Sequence, residues 1–189
     1  EIAKIYNAEP GDYKIIDRNR NNIIDDDDRD FVGQTTPQFF GSFSNTFKSH
    51  GFDLTIFLTY AGGHKIYNPF AYLDSYSPSA NMSPDYYHNY WTPERPSNKY
   101  PRLGSTNSQL YETDGMYQKG DYIRLKNLEL GYTLPRNIAN KVYASNIRVY
   151  ASVQNLVTFT KYTGFDVETS NANPYPACRV FMGGLTVNF

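Results

Sequence analysis

The segment Gly184-Leu185-Thr186-Val187-Asn188-Phe189 alternates apolar and polar side chains and stops on an aromatic ring. Alternation at every second residue demands a β-strand whose two faces meet unlike surroundings. Phe181, Gly183, Leu185, Val187 and Phe189 fall in one row, and Met182, Gly184, Thr186 and Asn188 in the other. A strand of a transmembrane β-barrel has this form, with its outward row against lipid and its inward row small or polar. An edge strand of a soluble β-sandwich can share it, so the rest of the chain must decide.

Composition narrows the choice. Aromatic residues make up 16% of the 189 residues, with 18 Tyr, 12 Phe and one Trp. Mean hydropathy is -0.61, and no run approaches the ~18 consecutive apolar residues of a membrane-spanning helix. A barrel strand needs apolar groups only at alternate positions, and its interfacial girdles are rich in Tyr and Phe. The net charge of -1 gives no basic surface for nucleic acid. Cys178 stands alone, without a second Cys for a disulfide or zinc cluster, and His50, His64 and His88 lack metal-ligand spacing. A chain beginning at Glu1 without Met or signal peptide is expected to be a mature or truncated product.

Period-two patterning predicts about five strands. Residues 38–48 form the first, with Phe39, Phe43 and Phe47 opposite in parity to Ser42, Ser44 and Thr46. After the turn Ser49-His50-Gly51, a second strand sets Phe52, Leu54, Ile56, Leu58 and Tyr60 against Asp53, Thr55, Phe57 and Thr59. About ten tilted residues span the ~25 Å apolar band of an outer-membrane barrel. From Gly62 to about Gly120 no period persists, which predicts a long loop of a kind that barrels carry on their extracellular side. Residues 121–134 form the third strand, with a phase slip near Lys126 and Asn127 that predicts a β-bulge. A short helical turn after Pro135 leads to a fourth strand at 146–158, and a polar loop over 161–176 leads to a fifth at 178–189.

The expected fold is therefore all-β, a transmembrane antiparallel β-barrel of which the chain supplies a partial wall. Residues 1–37 form an extracellular loop, 38–61 a hairpin, 62–120 a long aromatic-rich extracellular loop and 121–189 the last three strands. Closure takes about eight strands, so the rest of the barrel must come from elsewhere. The alternative is a secreted, calcium-stabilised β-sandwich that binds carbohydrate. The row from Phe52 to Tyr60 separates the two: a sandwich buries it, a barrel turns it to lipid.

Two segments suggest binding chemistry. From Asp17 to Asp28, oxygen donors follow the spacing of a calcium loop: Asp17, Asn19 and Asn21 by side chain, Ile23 by its carbonyl, Asp25 directly or through water, and Asp28 as the closing carboxylate. Asn22 replaces the usual Gly at the sixth position and Asp28 the usual Glu at the twelfth; an acidic turn capped by its own Asx hydrogen bonds is the competing reading. The aromatic loop carries Tyr72, Tyr76, Tyr86, Tyr87, Tyr90, Trp91 and Tyr100, whose flat faces suit stacking on sugar rings, loop packing or contact with a capping partner. No Gly-rich phosphate loop, nucleophile elbow or paired-His motif appears, and no enzyme activity is expected.

Several motifs occur in a recognisable order. They are Gly11-Asp12-Tyr13-Lys14-Ile15-Ile16-Asp17, Phe43-Ser44-Asn45-Thr46-Phe47 with Gly51-Phe52-Asp53-Leu54, Tyr90-Trp91-Thr92-Pro93-Glu94, Tyr122-Ile123-Arg124-Leu125-Lys126-Asn127 with Leu130-Gly131-Tyr132-Thr133-Leu134-Pro135, and Val149-Tyr150 with Gln154-Asn155-Leu156. The ordered set resembles the C-terminal region of the SusC/RagA-like TonB-linked outer-membrane transporters of Bacteroidota-type bacteria. The resemblance implies a barrel of about 22 strands that imports oligosaccharides, sometimes peptides, and sits in outer-membrane lipid. It also implies drive from the TonB complex and a SusD-like surface lipoprotein as cap, with the plug domain and TonB box upstream of Glu1. Phe189 resembles the terminal aromatic that serves barrel proteins as an assembly signal.

Overall fold

In the computed structural model the alternating segments join one five-stranded sheet. Residues 7–68, 81–82, 84–105, 113–169 and 175–189 are described. In chain order the strands among them are β1 (Phe39–Ser49), β2 (Phe52–Gly62), β3 (Lys65–Tyr67), β4 (Tyr90–Trp91), β5 (Tyr100–Arg102), β6 (Tyr117–Lys119), β7 (Tyr122–Thr133), β8 (Asn146–Thr160) and β9 (Val180–Asn188). Short helices α1 (Pro84–Asn89) and α2 (Arg136–Ala139) join them. The chain divides into two compact units, Gln34–Ile66 with Lys119–Phe189, and Glu1–Gly33 with Tyr67–Gln118.

The first unit holds the main sheet, ordered β1-β2-β7-β8-β9 and antiparallel throughout. The β1–β2 hairpin closes on His50 and Gly51, both with positive φ (50° and 86°), which the tightest two-residue turns require. The slip seen in the sequence is real: β7 uses Leu125 and Asn127 against the adjacent pair Leu58 and Phe57 of β2, leaving Lys126 as the extra residue. Asn155 on β8 takes up a left-handed φ of 52° beside this irregularity. The β7–β8 connection runs from Pro135 through α2 and a 3-10 turn, ending at Tyr143 with φ 60°.

Directly paired residues share a face, so register fixes the two surfaces. One side carries Phe43↔Leu58 and Phe47↔Leu54, then Leu54↔Leu130, Ile56↔Leu128 and Leu58↔Leu125, then Leu128↔Val153 and Ile123↔Phe159, then Val153↔Phe181 and Val149↔Leu185. This apolar row crosses every strand. It is also open: Phe43 is 52%, Leu130 52%, Phe159 65% and Leu185 63% exposed. The other sheets among the described residues are two-stranded ribbons, β3 with β6 and β4 with β5, so no second layer of sandwich size covers the row. The sandwich alternative fails on this point, because water would face an apolar patch far beyond what soluble monomers expose. Lipid removes that cost, and the sheet is a section of antiparallel barrel wall.

The opposite face carries Asp53, Thr55 and Thr59 of β2, Arg124 and Glu129 of β7, Arg148, Ser152 and Thr158 of β8, and Thr186 of β9. Here Gly184 leaves room for its partner across the strand: a Cβ there would lie 2.3 Å from Cζ of Tyr150. The ring lies flat where the glycine has no side chain.

The second unit is built from short pieces without a period long enough to read in sequence. β4 and β5 pair in parallel, and Tyr86 on α1 is fully buried against Tyr90 and Tyr100, at ring-centroid distances of 6.1 and 5.1 Å.

The face assignment predicts opposite outcomes for neighbouring substitutions in the full-length protein. Ile56→Lys puts a charge on the lipid side, costing about 2–4 kcal/mol near the midplane, and lowers the folded fraction on urea titration in lipid vesicles; Thr55→Lys, on the polar side, leaves the midpoint close to the parent's.

Candidate functional site

Charged side chains inside strands are expensive to bury unless paired, and Asp53, Arg124, Glu129 and Arg148 of the polar face are paired. Arg148 donates from Nε to Asp53 Oδ1 at 3.0 Å and from Nη2 to Glu129 Oε1 at 2.7 Å, and also contacts Asp53 Oδ2. Gly131, which sits between them, permits this: a Cβ there would lie 2.3 Å from Arg148 Nη2 and 2.6 Å from the Asp53 carboxylate. The Arg148 guanidinium also stacks 5.1 Å from the Tyr150 ring centroid.

A second cluster ties the β8–β9 connection to the same face. Arg124, 4% exposed, donates from Nε to Thr158 Oγ1 at 2.7 Å and from Nη2 to Asp166 Oδ1 at 2.7 Å, while Nη1 bonds Glu168. Glu168 also accepts from Lys126 Nζ at 2.6 Å and from the Tyr122 hydroxyl at 3.2 Å. The bulge explains Lys126: the extra residue brings its ammonium to the carboxylate that Arg124 holds. Asp166, 5% exposed, further accepts from the backbone amides of Glu168 (3.0 Å) and Ala177 (2.9 Å). Burial alone would raise its carboxyl pKa, but Arg124 and the two amides outweigh it and hold the group below the ordinary range. The strap over 161–169 is thus fastened by one guanidinium and two carboxylates.

In the other unit, the expected calcium ligands form a chain of Asx turns. Asp17 accepts from the amides of Arg20 (2.6 Å) and Asn22 (2.9 Å), Asn19 from Asn21 (2.9 Å), and Asn21 from Ile23 (2.7 Å). Arg20 and Asn22 adopt φ of 62° and 64°, so Asn22 takes the left-handed turn usually given to Gly. Asp25 caps the 3-10 turn Asp26–Asp28 in a capping box with Asp28, which also accepts from the Arg18 amide at 2.7 Å. The Asp25 amide, ahead of that of Arg18, holds the Asp28 carboxyl below its usual value. Among the described residues no group of three His, Cys, Asp or Glu is placed to hold a metal ion. The donors keep the order expected of a calcium loop, but their carboxylates do not converge.

The aromatic candidates are divided. Tyr86 presents no face to solvent, and its hydroxyl donates to the carbonyls of Pro101 and Arg102 at 3.3 Å each. Tyr90 stacks on Tyr86 and carries Arg95 at 5.4 Å from its ring centroid. Trp91 packs over Gly11, where a Cβ would come within 2.3 Å of the indole. Tyr87 is 60% exposed and meets the His88 ring edge-on at 5.3 Å. Tyr72 and Tyr76 lie outside the described residues. The same unit is pinned by Asp12, which accepts from Arg102 Nε at 2.9 Å, and by Asp85, which accepts from Lys99 Nζ and the Tyr100 hydroxyl at 2.6 Å each. Phe189 is 89% exposed.

Sequence reasoning did not single out Arg124, Arg148, Asp53, Asp166 or Glu168. The available signal was parity: Arg124 and Arg148 are cations inside otherwise apolar strands, at positions that face away from the lipid row, where a buried partner is obligatory. Because the Asp166 carboxyl is depressed when folded, the stabilisation it provides is present above its unfolded value of about 3.9 and disappears as pH falls through its lower folded value. Hydrogen exchange on the full-length protein, corrected for intrinsic rates, should keep the Glu168 and Ala177 amides protected down to about pH 4 and lose that protection below it.

No family model matches the sequence. The chain is 33% identical over 197 residues to TonB-dependent receptor P3 of Formosa agariphila, an alignment covering 96% of this chain and 19% of the relative. It is 27% identical over 187 residues to TonB-dependent receptor SusC of Bacteroides thetaiotaomicron, covering 97% of this chain and 18% of SusC. The fold superposes on the RagAB peptide transporter with a TM-score of 0.66 at 28% identity, over 82% of this chain and 17% of the matched chain. The open-open state of the RagAB peptide importer gives 0.63 at 26% identity. The chain spans about a fifth of the length of the curated relatives it matches. These relatives are outer-membrane receptors and transporters, not enzymes. Shared sequence along nearly the whole chain, and a shared strand arrangement, identify it as a segment of a SusC/RagA-like TonB-dependent receptor of the outer membrane.

Proposed function

We propose that this segment is part of the wall and loop apparatus of a TonB-dependent importer of large nutrients, with oligosaccharides as the cargo class. The observation that carries the reading is the single sheet with an uncovered apolar row on one side and paired charges on the other, the division a wall between lipid and an aqueous passage needs. Kinship with SusC supports the cargo class and a SusD-like surface lipoprotein as cap, with TonB supplying the drive. The RagAB likeness favours peptide as the competing cargo. In this reading Tyr76, Tyr86, Tyr87, Tyr90 and Trp91 serve the substrate-binding loop, Tyr87 by direct stacking and Tyr86 by holding the loop's shape. Phe189, on the parity of the apolar row, acts as the assembly signal.

Uptake by cells carrying or lacking the full-length receptor tests this. Labelled oligosaccharide should enter only when the receptor is present and stop when an uncoupler collapses the proton gradient; cells expressing the Phe189→Asp receptor should carry less of it in the outer membrane and import correspondingly less. Receptor-dependent entry of labelled peptide and not of oligosaccharide would replace the cargo class, and entry indifferent to the receptor would overturn the importer reading.

Calcium at Asp17, Asn19, Asn21, Ile23, Asp25 and Asp28 belongs to the same proposal, as a stiffener of the loop. The alternate oxygen donors and the left-handed Arg20 and Asn22 support it; the lack of converging carboxylates weighs against it. Calorimetric titration of the full-length receptor should give calcium heat at or below millimolar concentration that Asp17→Ala removes, and a silent titration of the parent would sink the assignment.

A further inference from the structure

The polar side of the sheet unit contains a cavity of about 220 Å³ between β8 and the strap, lined among others by Arg124, Thr158, Tyr162, Phe165, Asp166 and Arg179. That is well above the ~10–15 Å³ that a single water needs, and on the scale of one sugar ring or one amino-acid residue. Its charges do not cancel. Arg124 and Arg179 are two cations against one carboxylate, Asp166, and that carboxylate is already committed to Arg124 and two backbone amides. Arg179 therefore brings the uncompensated charge; among the described residues it has no ion-pair partner, and it is exposed at the mouth of β9. Tyr162, half-buried, supplies a phenol whose pKa burial and the nearby Asp166 raise, so it stays a neutral donor. Phe165, 65% exposed, adds an apolar ring face.

We propose that this cavity is a subsite for a carboxylate-bearing unit of the cargo. Arg179 supplies the ion pair, Tyr162 a second hydrogen bond and Phe165 the contact with the unit's apolar side. The inference rests on the importer reading. A guanidinium and a hydroxyl donor lining the same cavity match a carboxylate better than a neutral sugar, because the charge-assisted bond is the stronger one. The carboxylate has two sources, a uronic acid residue of an oligosaccharide or the free terminus of a peptide.

Calorimetry on the purified full-length receptor in detergent separates these with two matched pairs: trigalacturonic acid against galactotriose, and trialanine with a free against an amidated C-terminus. The carboxylated member of one pair should bind about tenfold or more tightly than its neutral counterpart. Arg179→Gln should abolish that preference, Tyr162→Phe should reduce it severalfold, and Lys141→Gln, exposed in the β7–β8 connection, should leave it unchanged. Arg179 is exposed, so its replacement leaves folding intact. The pair that shows the preference identifies the source of the carboxylate. Equal binding within both pairs, or a preference that survives Arg179→Gln, overturns the subsite; if cells still import cargo through the receptor in that case, the importer reading stands without it. A receptor that imports nothing overturns both.

Discussion

Hydrocarbon offers no partner to a backbone amide, so a strand that crosses a membrane must satisfy its amides and carbonyls within the sheet. That constraint governs the rest of this structure. Once the ladder is continuous from β1 to β9, register alone decides which side chains meet lipid. A one-residue slip would send every Leu and Phe of the apolar row to the polar side. The bulge at Lys126 is the single place where the main sheet shifts phase between β2 and β7, and the row resumes beyond it, Leu128 on one side and Leu125 on the other both pairing with apolar residues of β2.

The polar face follows a second rule, that charge withdrawn from water must find charge. Arg148 between Asp53 and Glu129, and Arg124 between Asp166 and Glu168, are each shared by two carboxylates. Removing one member of the buried Arg124–Asp166 pair costs about 3–5 kcal/mol, chiefly because the remaining charge is stranded. The two clusters do different work. The Arg148 set ties β2, β7 and β8 together within the wall, whereas the Arg124 set fastens a loop across it. Glycines make the first arrangement possible, since Gly131 admits the Arg148 guanidinium and Gly184 the Tyr150 ring.

Much of the wall was legible in the sequence because period two survives wherever two faces differ. The alternation of Phe52 to Tyr60, the phase slip at Lys126 and Asn127 and the helical turn after Pro135 all reflect local chemistry. The other unit was hidden for a physical reason: α1, β4 and β5 are two to six residues long, shorter than any detectable period, and their order comes from the buried Tyr86 and from pairs such as Asp12 with Arg102, which lie 90 positions apart. For the ion clusters, parity could mark the cations but not their partners, since Arg148 meets Asp53 across 95 positions. The competing reading of 17–28 as a turn with its own Asx hydrogen bonds was legible, because each bond joins near neighbours.

The central claim is that β2 stands between lipid and a polar interior. Its most direct test is a nitroxide scan of residues 53–60 of the full-length receptor in lipid vesicles, reading accessibility to oxygen, which concentrates in hydrocarbon, against that to a water-soluble nickel chelate. The account predicts oscillation with a period of two: high oxygen accessibility at Leu54, Ile56 and Leu58, low at Thr55, Phe57 and Thr59. A flat profile, or low oxygen accessibility at all six positions, would mean that the apolar row is covered by protein, and the barrel-wall account would be wrong.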